Sequence, residues 1–196
     1  MAIVLDLIGS FIIAAFAILL GLRMNVTISE HLLSSVTILN VQEGLENAVE
    51  ILETDFRKIG YGVTDPRTAI EISQPTHIRF QADIDRDGTI DHVDLRLVSY
   101  VNDYGETLGA LVRQINSESP NVIATEVMDF SLRYLTQGGT AADTAVKSQI
   151  WIIESTLRIK SPYKVADQVM GSDRMTEVQG FWRQTRLASR NLKRHG

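Results

Sequence analysis

The 196-residue chain has no cysteine, and that one absence excludes disulfides, thiol nucleophiles and thiolate metal sites together. It also removes redox usage as a guide to compartment. The four histidines, His31, His77, His92 and His195, stand apart from one another, and no HExxH, GxSxG or glycine-rich phosphate loop is present. No catalytic constellation emerges, so the expectation is a chain that is not an enzyme. Internal repeats and long low-complexity runs are missing too. The first 22 positions hold no Lys or Arg, where a secretory signal peptide would carry its basic region. The segment from Phe181 to Gly196 holds no acid but has Arg183, Arg186, Arg190, Lys193 and Arg194, so against a total formal charge of −5 the rest of the chain carries −10. Such an acidic chain is not expected to partner nucleic acid. Its basic tail could touch acidic lipid, the Glu-rich face of a neighbouring helix, or nothing.

What is present begins with a long apolar run. MAIVLDLIGSFIIAAFAILLGL is interrupted only by Asp6 and Ser10 between Met1 and Leu22. As a helix rising ~1.5 Å per residue it would cross a ~30 Å hydrocarbon core, which predicts a membrane anchor. Arg23 is the only base near it, so the positive-inside rule leaves orientation open. Asp6 has two readings. It is a carboxylate reaching the interface from a helix N-terminus, where the dipole favours it, or it is half of an ion pair with the free amine of a neighbouring chain. In the second reading Met1 is removed and Asp6 becomes the fifth residue. Gly9, Ala14, Ala15 and Ala17 are small enough to let like helices approach closely.

The apolar pattern continues past the anchor. Val41, Leu45, Ala48, Val49, Leu52, Phe56 and Ile59 recur at steps of three and four, with Glu43, Glu46, Glu50 and Glu53 on the other face. The spacing predicts one helix to Ile59, continuous or locally loosened between Met24 and Asn40, where β-branched residues and serines are frequent. Gly60, Gly62 and Pro66 supply the stop. Beyond it the period changes to two. Ile78, Phe80 and Ala82 alternate, as do Val93, Leu95 and Leu97, which predicts a hairpin around Asp87-Gly88. Further strands are expected over residues 108–115, over 122–135 with Met128, Phe130, Leu132 and Tyr134 on one face, and over 149–160 with Trp151, Ile153, Leu157 and Ile159. Residues 136–148 read as a mobile connection and 161–180 as an irregular loop. The expected class is α+β: residues 1–59 a helix whose first 22 residues are a membrane or filament-core segment, and residues 60–196 a mainly antiparallel β-sheet head.

These pieces together resemble the type IV pilin-like proteins, a group that includes pilins, minor pilins and type II secretion pseudopilins. ILETDFRKIGYGV at residues 51–63 looks like the acidic-x-Asp-hydrophobic-Arg-x-x-Gly-Tyr segment that ends the long helix in larger minor pilins. The hairpin FQADIDRDGTIDHVDLRL, the strand LVRQI, the stretch IATEVMDFSLRY and the terminal ASRNL follow in the order of that group. The family's basic leader, cleavage-point glycine and Phe-Thr-Leu-Ile-Glu type start are not in this sequence. Either the sequence begins at a processed or rewritten end, or the chain reaches the membrane without such processing. The resemblance implies a structural subunit that passes from the membrane to an extracellular filament or the cell surface, with copies of itself or related subunits as partners. It also implies that Asp6, once Met1 is removed, neutralises the amine of an adjacent subunit. The alternatives are a single-pass anchor bearing a calcium-dependent binding or adhesion head, and a component of a secretion complex that never polymerises.

One stretch points to a metal. In QADIDRDGTIDHVD, counting from Asp83, aspartates occupy positions one, three, five, nine and twelve, with Gly88 at six and Thr89 at seven. That is the oxygen spacing of a calcium loop, and Asp83, Asp85, Asp87, the Thr89 carbonyl, Asp91 through water, and Asp94 are the candidate ligands for Ca2+. Asp94 stands where a bidentate Glu is usual. The competing expectation is a solvated hairpin tip closed by a two-residue Asp87-Gly88 turn, which would hold these oxygens too far apart to converge.

Overall fold

A computed structural model describes residues 2–102, 105–166, 175–188 and 192. Helix α1, Ala2–Lys58, is a single 57-residue element, about 85 Å long at the standard rise. It runs through the Ser- and Thr-rich bridge without a break. Ser29, Ser35 and Thr37 donate their hydroxyls to the carbonyls of Asn25, His31 and Leu33 at 2.9, 2.9 and 2.8 Å, so their polar side chains are absorbed by the preceding turn of the helix. The helix stops where the sequence says it should. Gly60 and Gly62 take φ of 75° and 76°, a left-handed conformation that a side chain would strain, and the Gly60 N–H turns to the Gln81 carbonyl at 2.9 Å.

The class is α+β, with seven strands after the helix among the described residues. They are β1 (Ile70–Gln74), β2 (His77–Ala82), β3 (Asp91–Val101), β4 (Thr107–Ile115), β5 (Asn121–Leu135), β6 (Ile152–Ala166) and β7 (Met175–Ala188). Each pairs antiparallel with its neighbour in the chain, giving the order β1-β2-β3-β4-β5-β6-β7. One face of this meander closes over the last third of α1, from Val41 onward. Val41, Ala48, Leu52, Phe56 and Ile59 are buried with Ile78, Phe80, Val93, Leu95, Leu111, Phe130 and Leu157 in one core. Burying side chains of this size contributes about 1.5–3 kcal/mol each. β7 packs tightly on the helix at Gly180, where a Cβ would lie 3.1 Å from Leu45 Cδ2 and 3.2 Å from Val41 Cγ1. A boundary at residue 59 thus follows secondary structure, while the packing puts Val41 to Ile59 inside the head.

Four expectations need correction. Met128 does not share a face with Phe130, Leu132 and Tyr134: it is exposed, while Val127 is buried. The cause is a bulge, since Val127 pairs with Ile159 and Asp129 with Arg158, so two residues of β5 oppose one of β6 and the alternation changes parity. Within the stretch expected as a loop, 161–180, β6 continues to Ala166 and β7 begins at Met175, with Lys164 opposite Glu177; residues 167–174 lie outside the described residues. Trp151 precedes β6, which begins at Ile152. Strand β1 had no expected counterpart; a bulge between Ile70 and Ile72 breaks its alternation. Residues 136–148 are held by bonds from Thr136 N–H to the Thr140 carbonyl and from the Ser73 hydroxyl to the Thr144 carbonyl.

Candidate functional site

The first candidate is the helix surface before the head. Leu7, Phe11, Ile13, Phe16, Leu20, Met24, Leu33 and Leu39 are all exposed, and the burial of apolar side chains begins at Val41. This helix is long and apolar enough to cross a membrane. Among the described residues nothing lies within 4 Å of a Cβ built on Gly9, and Ala14 is exposed. The side chain of Asp6 lies outside the described residues.

The second candidate is the aspartate loop, and its geometry departs from a two-residue turn. β2 ends at Ala82, which pairs with Asp91 at the start of β3, so residues 83–90 form an eight-residue loop. Arg86 and Gly88 both have positive φ, 68° and 87°, which folds the loop back on itself. Its base is fixed by the end of α1. The Asp83 N–H donates to the Tyr61 carbonyl at 2.9 Å, and Lys58 Nζ donates to the Ile84 carbonyl at 2.8 Å. At Gly62 a Cβ would come within 2.9 Å of the Asp83 Cβ, so only glycine lets the helix end and the loop approach this closely.

Folding brings three of the expected ligands together. Asp83, Asp85 and Asp91 each place a carboxylate oxygen within 4.8 Å of the other two. Asp83 Oδ2 accepts from the Gly88 N–H at 3.2 Å, and Asp85 Oδ1 from the Asp87 N–H at 3.1 Å. Asp91 is gripped on both oxygens, by the Ile84 N–H at 3.1 Å and by Asn116 Nδ2 at 2.7 Å. The other two expected carboxylates, Asp87 and Asp94, are not in this cluster. Asp87 accepts the Thr89 N–H at 2.6 Å, a bond that holds its carboxyl below the usual range; both residues are exposed. Asp94 lies three residues up β3 and is taken by His77 Nε2 at 3.0 Å and Arg96 Nη1 at 2.6 Å. Its correction has a simple cause: once Asp91 opens a strand, Asp94 is a paired sheet residue opposite Arg79 and not part of the loop. His92 is likewise turned away, with Nδ1 2.9 Å from Glu71 Oε1.

Asn116 is the participant that the sequence does not reveal. It sits in the turn between β4 and β5 with φ of 49°, accepts the His92 N–H at 2.8 Å and donates to Asp91. No local pattern links it to an aspartate 25 positions earlier, because β-sheet pairing alone brings them together. No protein-family model matches the chain, and no curated protein matches it either.

Proposed function

We propose that this chain is a non-enzymatic structural subunit of the pilin-like kind, held in the membrane by its first helix and then assembled through that helix into a surface filament or pseudopilus. The observation that carries this reading is the division of α1 into a bare apolar part and a buried part. The large apolar side chains from Leu7 to Leu39 are exposed among the described residues, while on α1 Val41, Ala48, Leu52 and Phe56 are buried in the core of the head. Exposing so many to water would cost on the order of tens of kcal/mol, so the working molecule surrounds them with lipid or with like helices. Helices replacing lipid around one another in a head-to-tail, non-closing arrangement generate a fibre whose outside is made of the sheet heads. Its partners are copies of itself or related pilin-like subunits, and Gly9 and Ala14 sit on the contact surface.

The test is to shear surface material from cells without detergent, image it by electron microscopy and determine the N-terminus of this chain by mass spectrometry. Filaments containing the chain, with Ala2 as the first residue, support assembly and put Asp6 in register to pair with a neighbour's amine. Recovery only from detergent-solubilised membranes, with no polymer, sinks the filament reading in favour of an anchored binding or adhesion head.

A further inference from the structure

We infer that Asp83, Asp85 and Asp91 form a calcium site that clamps the aspartate loop to the end of α1. The decisive feature is Asp83. It is only 7% exposed, yet its Oδ1 is buried and accepts no hydrogen bond among the described residues. A buried carboxylate oxygen without a donor is unfavourable, and here it belongs to a carboxylate that already faces two others within 4.8 Å. A divalent cation resolves both problems at once, because it supplies the missing partner of Oδ1 and cancels the mutual repulsion.

The donor set selects the ion. All three groups are carboxylates, His92 is engaged with Glu71, and the chain has no cysteine, so a hard oxygen-seeking cation fits and a nitrogen- or sulfur-seeking one does not. An eight-residue loop can lend carbonyls and admit water to reach six or more oxygens, which suits calcium better than the rigid octahedron of magnesium. Asn116 holds Asp91 from outside as a positioning residue. With Asp83 bonded to Tyr61 and Ile84 to Lys58, an ion here fixes the junction at which the helix leaves the head. This site is independent of whether the chain polymerises.

The experiment uses the full chain in detergent micelles, stripped with chelator and titrated with calcium chloride by calorimetry, with melting curves in parallel. The expected affinity is on the order of 10⁻⁴ M, and calcium at about a hundredfold excess over Kd raises the melting temperature by roughly 5–10 °C. Asp83→Asn and Asp85→Asn each weaken binding at least about tenfold. Asp85 is exposed, so its variant folds and separates lost binding from lost structure. Asp94→Asn binds as the wild type does, because that carboxylate belongs to His77 and Arg96. The assignment is overturned if the wild type binds no calcium up to about 10 mM, if Asp85→Asn binds unchanged, if Asp94→Asn loses as much as Asp83→Asn, or if magnesium binds equally well.

Discussion

Arg113 on β4 closes a two-pronged ion pair on Asp55 of α1, with Nε 2.6 Å from Oδ2 and Nη2 2.9 Å from Oδ1. Asp55 is 2% exposed, so this is a buried charge that faces the guanidinium. The hydrogen bonds that Arg113 donates to Asp55 push the Arg113 pKa above its usual value, against the opposing effect of burial, and keep the guanidinium charged. Arg113→Met alone leaves the carboxylate stranded and should cost about 3–5 kcal/mol. Asp55→Leu combined with Arg113→Met should recover most of that loss. Chemical denaturation of the two single variants and the double variant checks it; strictly additive losses would mean that the pair is not the unit of stability.

The helix and the class of the head were legible because both follow from periodicity. Val41 to Ile59 announce an inward face at helical spacing, and Ile78, Phe80 and Ala82 announce one at strand spacing; Val41, Ala48, Leu52, Phe56, Ile59 and the three strand residues are buried, while Leu45 and Val49 are half-buried. What the sequence hid were the places where one residue too many enters a strand. The bulge beside Val127 turns Met128 outward, and no alternation rule signals it. The aspartate loop was half legible. Asp87-Gly88 marked the positive φ at Gly88, but the loop is eight residues wide because the helix end holds Asp83 and Ile84, a contact between segments more than 20 residues apart. Asn116 left no signal for the same reason.

Asp94 gives the head a dependence on acid. Burial pushes its carboxyl up, but the hydrogen bonds and charges of His77 and Arg96 together outweigh burial and hold it below the usual value. A carboxyl with a lower pKa folded than unfolded contributes stability above its unfolded value, about 4, and that contribution disappears as pH falls through the folded value. Asp94→Asn should therefore melt lower than the wild type at pH 5–6, about two units above the unfolded pKa. The difference should shrink toward pH 2, roughly two units below it. Melting temperatures across that range decide it, and a gap that stays constant with pH would show that the carboxylate's charge is not involved.

Asn116→Gly isolates the role of a side chain that touches no ion. Glycine tolerates the left-handed φ of 49°, so the turn survives while the amide that holds Asp91 is removed. Calcium affinity should fall about tenfold, the lower end of what losing an outer partner costs a metal site. The metal-free melting temperature should change little, because the Asn116 N–H still bonds the His92 carbonyl at 2.8 Å. A loss of metal-free stability with unchanged calcium affinity would make Asn116 only a turn residue.

Ile12→Arg separates the two halves of α1. Ile12 is 54% exposed and lies far along the helix from Val41, where the core begins, so the head has no reason to notice the change. In detergent the variant should melt within about a degree of the wild type, as surface substitutions usually do. A guanidinium near the centre of an apolar span is disfavoured by about 2.5–3.5 kcal/mol on the insertion scale, so the membrane-bound fraction and any polymer should both fall. Fractionating cells that express the variant measures this directly. If the chain stays in the membrane and still assembles, the segment around Ile12 is neither at the bilayer centre nor in a helical core, and the functional reading of this helix fails.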